Sequence, residues 1–317
     1  MKTYLLVISV LILSFLNAQV SIAPGNTYAQ DFNSIGTSQT ATLPSGWKAD
    51  NLGSVRTVGS YSSAGTQTTQ RAGDNMSSTA ANGIYNFAAG DPTTSTERAV
   101  GGLSSASASK SVNIYLFLRN TGTSDITSFN ISYKVEKYRK GTNSAGFTIQ
   151  LYYSTDGSNW TSAGSSFTTS FSADADNNGY ASAPGVTVNV SGTLTVTVPS
   201  NGDFYLAWNY SVTSGSTTSN AQALGIDDVS IEAVGSAPPT LNATPTSIIG
   251  LNYTYGNGPS ASQTFTVSGS NLSPASGNIT ITAPTNFEIS LNGTDFYSTL
   301  SLPYSSSTLA STTVYVR

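Results

Sequence analysis

The chain has 317 residues, with 12 Lys and Arg against 16 Asp and Glu, a net charge of -4, and neither cysteine nor histidine. This composition excludes disulfides, thiolate catalysis, cysteine–zinc sites and His-dependent triads, and it offers no basic stripe to neutralise the phosphates of a nucleic acid. Charged residues make up only 9% of the chain, yet 17 Tyr and 12 Phe supply enough apolar surface for folded cores. The expectation is therefore an extracellular all-β protein, and any chemistry must come from carboxylates, Tyr, Lys, Arg or a hard metal.

The first stretch, MKTYLLVISVLILSFLNAQ, has Lys2 near its start, an apolar run from Leu5 to Leu16 and a small residue at Ala18. It reads as a signal peptide over residues 1–19. The run is short for a membrane span. A product at the cell surface or secreted, without membrane insertion, is expected after cleavage.

The next region, 20–234, is expected to form a jelly-roll-like β-sandwich. Strict alternation places Val112, Ile114, Leu116 and Leu118 on one face of a strand, and Phe129, Ile131, Tyr133 and Val135 on another. Phe147, Ile149, Leu151 and Tyr153 repeat the pattern, as do Phe204, Leu206, Trp208 and Tyr210. Turn-rich breaks such as NTGTSD, STDGSN and PSNGD separate these runs. The Pro-rich stretch VGSAPPTLNATP marks a boundary, read as a linker over 235–244. Residues 245–317 then show short strands with regular turns, expected to be an immunoglobulin-like sandwich that breaks off within a strand-like run and is truncated.

Three sites are legible as candidates. In GIDDVSI the alternation sets Asp227 with Val229 and Ile231, which would turn a carboxylate towards the apolar face. Such a group needs a backbone N–H, an arginine such as Arg98, or a metal. If the first and last strands lie together, Asp31 and Asn33 approach Asp227 and Asp228, an oxygen set suited to calcium. In FSADADNNGYAS, Asp174, Asp176 and Asn178 with the Tyr180 carbonyl match the first half of an EF-hand-like loop, but position twelve is Gly185 instead of Glu. A plain surface turn is the competing reading. The third candidate is the face opposite the core sets, where Tyr115, Arg119, Glu136, Tyr138, Gln150 and Tyr152 would stack on and hydrogen-bond a polysaccharide or cell-surface glycan. A second packed layer under loops is the alternative.

Several of these stretches together carry a family resemblance. DFNSIG, LPSGW, ERAVGGLSS, LRNTGTSDITSFNISYKVEKYRKG, LYYSTDGSNWTSAG, FYLAWNY and ALGIDDVSI, in this order, resemble the N-terminal β-sandwich of secreted modular proteins of Bacteroidetes-type bacteria exported by type IX secretion. PSASQTFTVSGSNL and PTNFEIS resemble an Ig-like repeat found beside it. The resemblance implies an extracellular binding or adhesion module whose partners include downstream modules of the same polypeptide. The alternative is the non-catalytic N-terminal part of a secreted hydrolase, such as a nuclease, with its catalytic domain beyond Arg317. No cofactor is required on this reading, calcium being the one candidate.

Overall fold

The computed structural model describes residues 19–235 and 238–317. The expected signal segment, all but its last residue, lies outside them. The chain divides into two compact units between residues 235 and 236. Both are all-β, and no helix among the described residues is long and apolar enough to cross a membrane.

The first unit begins with β1 (Val20–Ile22), β2 (Thr27–Gln30), β3 (Trp47–Leu52), β4 (Gln70–Ala72), β5 (Gly83–Ala88), β6 (Arg98–Leu103) and β7 (Ser111–Asn120). It continues with β8 (Ile126–Arg139), β9 (Phe147–Ser154), β10 (Thr161–Ser162), β11 (Thr168–Phe171), β12 (Val186–Val198), β13 (Asp203–Val212) and β14 (Ala223–Gly235). One sheet runs β1-β7-β13-β9-β10, with β3 also on β7 and β11 also on β9. The other runs β12-β8-β14-β6-β5-β4, with β2 also on β14. This is a jelly-roll-like sandwich, and the alternating sets meet inside it. Phe129 stacks on Phe204 at 4.6 Å, Phe147 on Tyr210 at 5.3 Å and Trp47 on Trp208 at 5.4 Å. Each such ring removed from water contributes roughly 1.5–3 kcal/mol.

The outer faces are covered more fully than alternation implies. Every residue of β7 except Arg119 is buried, because the segment between β3 and β4 folds over the first sheet. Tyr61, Tyr115, Phe117 and Ala207 make a second small core there. Loops over the second sheet are clasped by buried arginines: Arg139 donates to the carbonyls of Ser78, Asn177 and Ala221. Arg98 is likewise buried and binds Asn86, not an aspartate.

The second unit contains β15 (Thr240–Thr244), β16 (Gln263–Ser270), β17 (Gly277–Thr282), β18 (Ile289–Ser290), β19 (Thr299–Tyr304) and β20 (Leu309–Val316). A four-stranded sheet β15-β16-β20-β18 faces a β17-β19 pair over a core of Val267, Ile289, Leu302 and Val314, in an Ig-like arrangement. Six of the ten residues read as linker are strand: Gly235 ends β14 and Thr240–Thr244 form β15. Pro238 and Pro239 precede β15, and Leu241–Ala243 then pair with β16; the prolines stop a strand only where they themselves sit.

Candidate functional site

The IDD stretch lies where one edge of β14 changes partner. Leu224–Ile226 pair with β6, whereas Val229–Glu232 pair with β2. On the opposite edge Asp227 faces Lys134 and Ser230 faces Ser132, so β14 spends three steps where β8 spends two. That extra residue is a β-bulge. Asp228 takes the left-handed backbone there, with φ of 46°, a conformation that Asp tolerates better than most residues. The bulge overturns the simple alternation expected at this point. Ile226 and Val229, three residues apart, both enter the core. Asp227, paired opposite Lys134, faces outward instead of joining Val229 and Ile231.

Although it faces outward, Asp227 is only 1% exposed. Its Oδ1 accepts the Asp228 N–H at 2.7 Å, the one hydrogen bond to its carboxyl among the described residues. Burial, with the charges of Glu136, Asp228 and Glu97 adding to it, pushes its pKa to about 8 against the pull of that bond. Glu136 is buried beside it, accepts the Tyr138 hydroxyl at 2.5 Å and has its pKa raised by burial. Asp228 is partly exposed and pairs with Lys134 at 2.5 Å. One carboxylate oxygen from each of Glu97, Asp227 and Asp228 lies within 4.8 Å of the others.

Asn33 ties Glu97 to the N-terminal strand region. Its Nδ2 donates to Glu97 at 3.0 Å, and its Oδ1 accepts the Arg98 N–H at 2.7 Å. Asp31 lines the same shallow depression as Asp228 and accepts the Asn33 N–H. Pairing of β2 with β14 thus brings Asp31 and Asn33 to the acidic strand. Sequence reading weighs Glu97 only as an acid or base in want of a second carboxylate and does not place it beside Asp227 and Asp228; its one signal is that it precedes the strand pairing with Ile226. Oxygens 2.3–2.6 Å from a calcium ion sit up to about 5 Å apart, so the donor set suits a hard cation. Asp227, Asp228 and Glu136 share one lysine, Lys134, with Glu97 beside the aspartates.

The second acidic stretch is arranged differently. Asp174 pairs with Lys137 at 2.8 Å and accepts from the Gly141 N–H and the Gln222 amide. Asp176 pairs with a different lysine, Lys140, at 2.6 Å and accepts the Asn178 N–H. The carbonyls of Asn178 and Tyr180 accept from the N–H groups of Lys140 and Asn75. The pKa values of both carboxyls are lowered: Asp174 by Lys137 and Gln222 against its partial burial, Asp176 chiefly by Lys140. A calcium loop needs its oxygens to converge on one point. Here they diverge to lysines and backbone donors, and the segment fastens a loop over the end of β8.

The aromatic face divides between the two sheets. Glu136 and Tyr138 belong to the second, while Tyr115, Arg119, Gln150 and Tyr152 belong to the first. Tyr138 is fully buried and stacks on Phe87 at 4.2 Å. Tyr115 is fully buried too, donating to Asp50 at 2.8 Å and accepting the Gly59 N–H. Neither ring offers a face to a sugar. Arg119 is half-exposed in an ion pair with Asp203 at 3.0 Å.

Gln150 and Tyr152 remain accessible, and they line a cleft of about 210 Å³ with Arg56, Thr148, Ser170 and Thr213. Thr148 hydrogen-bonds both Ser170 and Thr213 at 2.8 Å, and Gln150 accepts from Thr168. Arg56 is anchored by the carbonyls of Val212 and Gly215. Nothing in the sequence marks this arginine, because a loop carries it to strands more than 90 residues away.

No family model and no curated protein matches the chain. Among solved structures, the chain is similar to the K1 cleaved adhesin domain of Lys-gingipain from Porphyromonas gingivalis W83. The match covers 67% of this chain and 100% of that one, at 14% identity and a TM-score of 0.34. The CBM22-1 xylan-binding domain of Paenibacillus barcinonensis Xyn10C matches over 68% of this chain and 99% of its own, at 11% identity and a TM-score of 0.31.

Proposed function

We propose that this chain is a secreted or cell-surface, non-catalytic binding module that holds a neutral glycan in the cleft of its first sheet. A calcium ion at the β14 bulge would steady the region where β2, β6 and β14 meet. The cleft carries the reading. A half-buried tyrosine stands beside an anchored arginine, an amide and a row of hydroxyls, which pairs an apolar ring for sugar C–H groups with donors and acceptors for sugar hydroxyls. Its small volume fits one or two sugar rings, so affinity would rise on multivalent presentation.

A glycan array followed by calorimetry on the best hit tests this. Tyr152→Ala and Gln150→Ala are each expected to weaken binding by about tenfold, a loss of about 1.4 kcal/mol. A silent array, or binding unchanged in both variants, overturns the glycan reading.

Calcium at the bulge rests on the oxygen set of Glu97, Asp227 and Asp228, and its role there would be structural. Binding would displace Lys134 from Asp228 and hold Asp227 ionised.

A further inference from the structure

Most edges of the first unit are short or charged. β1, β4, β10 and β11 have four residues or fewer, and β3 carries Lys48 and Asp50. Natural sheets discourage pairing with other chains in these ways. β12 is different. It is 13 residues long, VTVNVSGTLTVTV, without a charge or a proline. Among the described residues it pairs only with β8, and the backbone of Val186–Thr197 makes no hydrogen bond outside that ladder.

The strand also reads almost the same in both directions about Gly192. Val190 mirrors Leu194, Ser191 mirrors Thr193 and Asn189 mirrors Thr195. Further out, Val188 mirrors Val196, Thr187 mirrors Thr197 and Val186 mirrors Val198. The apolar set turns inward, with Val190, Leu194 and Val198 buried, and the polar set is exposed. Opposite residues of an antiparallel pair share a face. Two copies related by a two-fold axis at Gly192 would therefore set Val against Leu on the inner face and Ser against Thr on the outer, with no like charges opposed. The glycine admits Phe167 beneath it, where a Cβ would come within 2.9 Å of that ring.

We infer that β12 is a self-pairing edge, through which two copies of this chain join their second sheets antiparallel about Gly192.

Size sets the strength. The register with β8 slips between Thr195 and Val198, so the seven residues Asn189–Thr195 form the regular centre. At about 3.4 Å per residue and a sheet thickness of roughly 10 Å, the centre covers about 240 Å² per partner and the whole strand about 440 Å². Both fall short of the roughly 800 Å² per partner of a stable complex. The contact is therefore reversible and favoured where copies are crowded on a surface.

Sedimentation velocity over a concentration series reads the association. The weight-average mass should climb towards twice the monomer value, and the double variant Ser191→Lys/Thr193→Lys should stay monomeric with unchanged circular dichroism. Register is read by oxidative cross-linking in a chain that has no cysteine of its own. Copies with Ser191→Cys mixed with copies with Thr193→Cys should cross-link well above a mixture of Ser191→Cys with Asn189→Cys. A chain that is monomeric throughout, lysine variants that still associate, or equal cross-linking in the two mixtures would each overturn the inference.

Discussion

The two acidic stretches, Asp227–Asp228 and Asp174–Asp176, look alike as sequence and end in opposite electrostatic states. In the first, Asp227, Asp228 and Glu136 share Lys134, Glu97 lies beside the two aspartates, and Asp227 is held near neutrality by burial. In the second, each aspartate has its own lysine and several donors, and both stay ionised. A run of carboxylates becomes a candidate cation site only where the fold withholds basic partners. The supply of lysines, not the spacing of aspartates, separates the two.

The largest effect that would test this contrast lies at the paired stretch. Lys137 and Asp174 are both largely buried, so Lys137→Ala leaves a carboxylate without its partner. Unfolding of the first unit in denaturant should show a loss of about 3 kcal/mol, and calcium should not restore it.

Next comes the bulge. Calcium at one hundred times its dissociation constant should raise native stability by about 2.7 kcal/mol over the same protein in EDTA. Thermal melts should show this rise in the wild type and lose it in Glu97→Gln and Asp227→Asn. A melting temperature indifferent to calcium removes the metal from the bulge.

A more diagnostic effect is the pH dependence without metal. The pKa of Asp227 rises on folding from its ordinary 3.8 to about 8, so the folded state binds its proton more tightly than the unfolded state. The stability it contributes is complete below about pH 4 and is lost as the pH rises through about 8. Melts in EDTA should therefore fall between about pH 4 and pH 8, Asp227→Asn should flatten the fall, and calcium should oppose it by favouring the carboxylate. A profile unchanged by Asp227→Asn would mean that this residue is not the titrating group.

The smallest effect belongs to Asp176→Ala. Its ion pair with Lys140 sits in solvent, where such pairs contribute little, and the melting temperature should scarcely move with or without calcium.

The strands that build the sandwich were legible in the residues. β7, β8, β9 and β13 announce themselves by period two, because one face of each must meet a core while the backbone satisfies its ladder. The bulge was not legible. A single inserted residue changes which side chains share a face, and only the staggered partners β6, β2 and β8 reveal that Asp228 occupies the extra step. The burial of Tyr115 and Tyr138 was equally hidden, since it depends on segments that fold over them from distant parts of the chain.

By itself, then, the sequence determined the class of the protein: its all-β architecture, its two-unit division near the prolines, and a chemistry restricted to carboxylates, hydroxyls, amides and rings. These are local properties, set by alternation, by proline geometry and by which residue types are present at all. The tertiary structure alone decided which carboxylates meet, which tyrosines keep an open face, and which strand, among the described residues, ends its sheet as a long edge. Those outcomes depend on residues brought together across 60 to 130 positions, as Asn33 and Asp227 are to Glu97, and no local pattern specifies what will stand opposite.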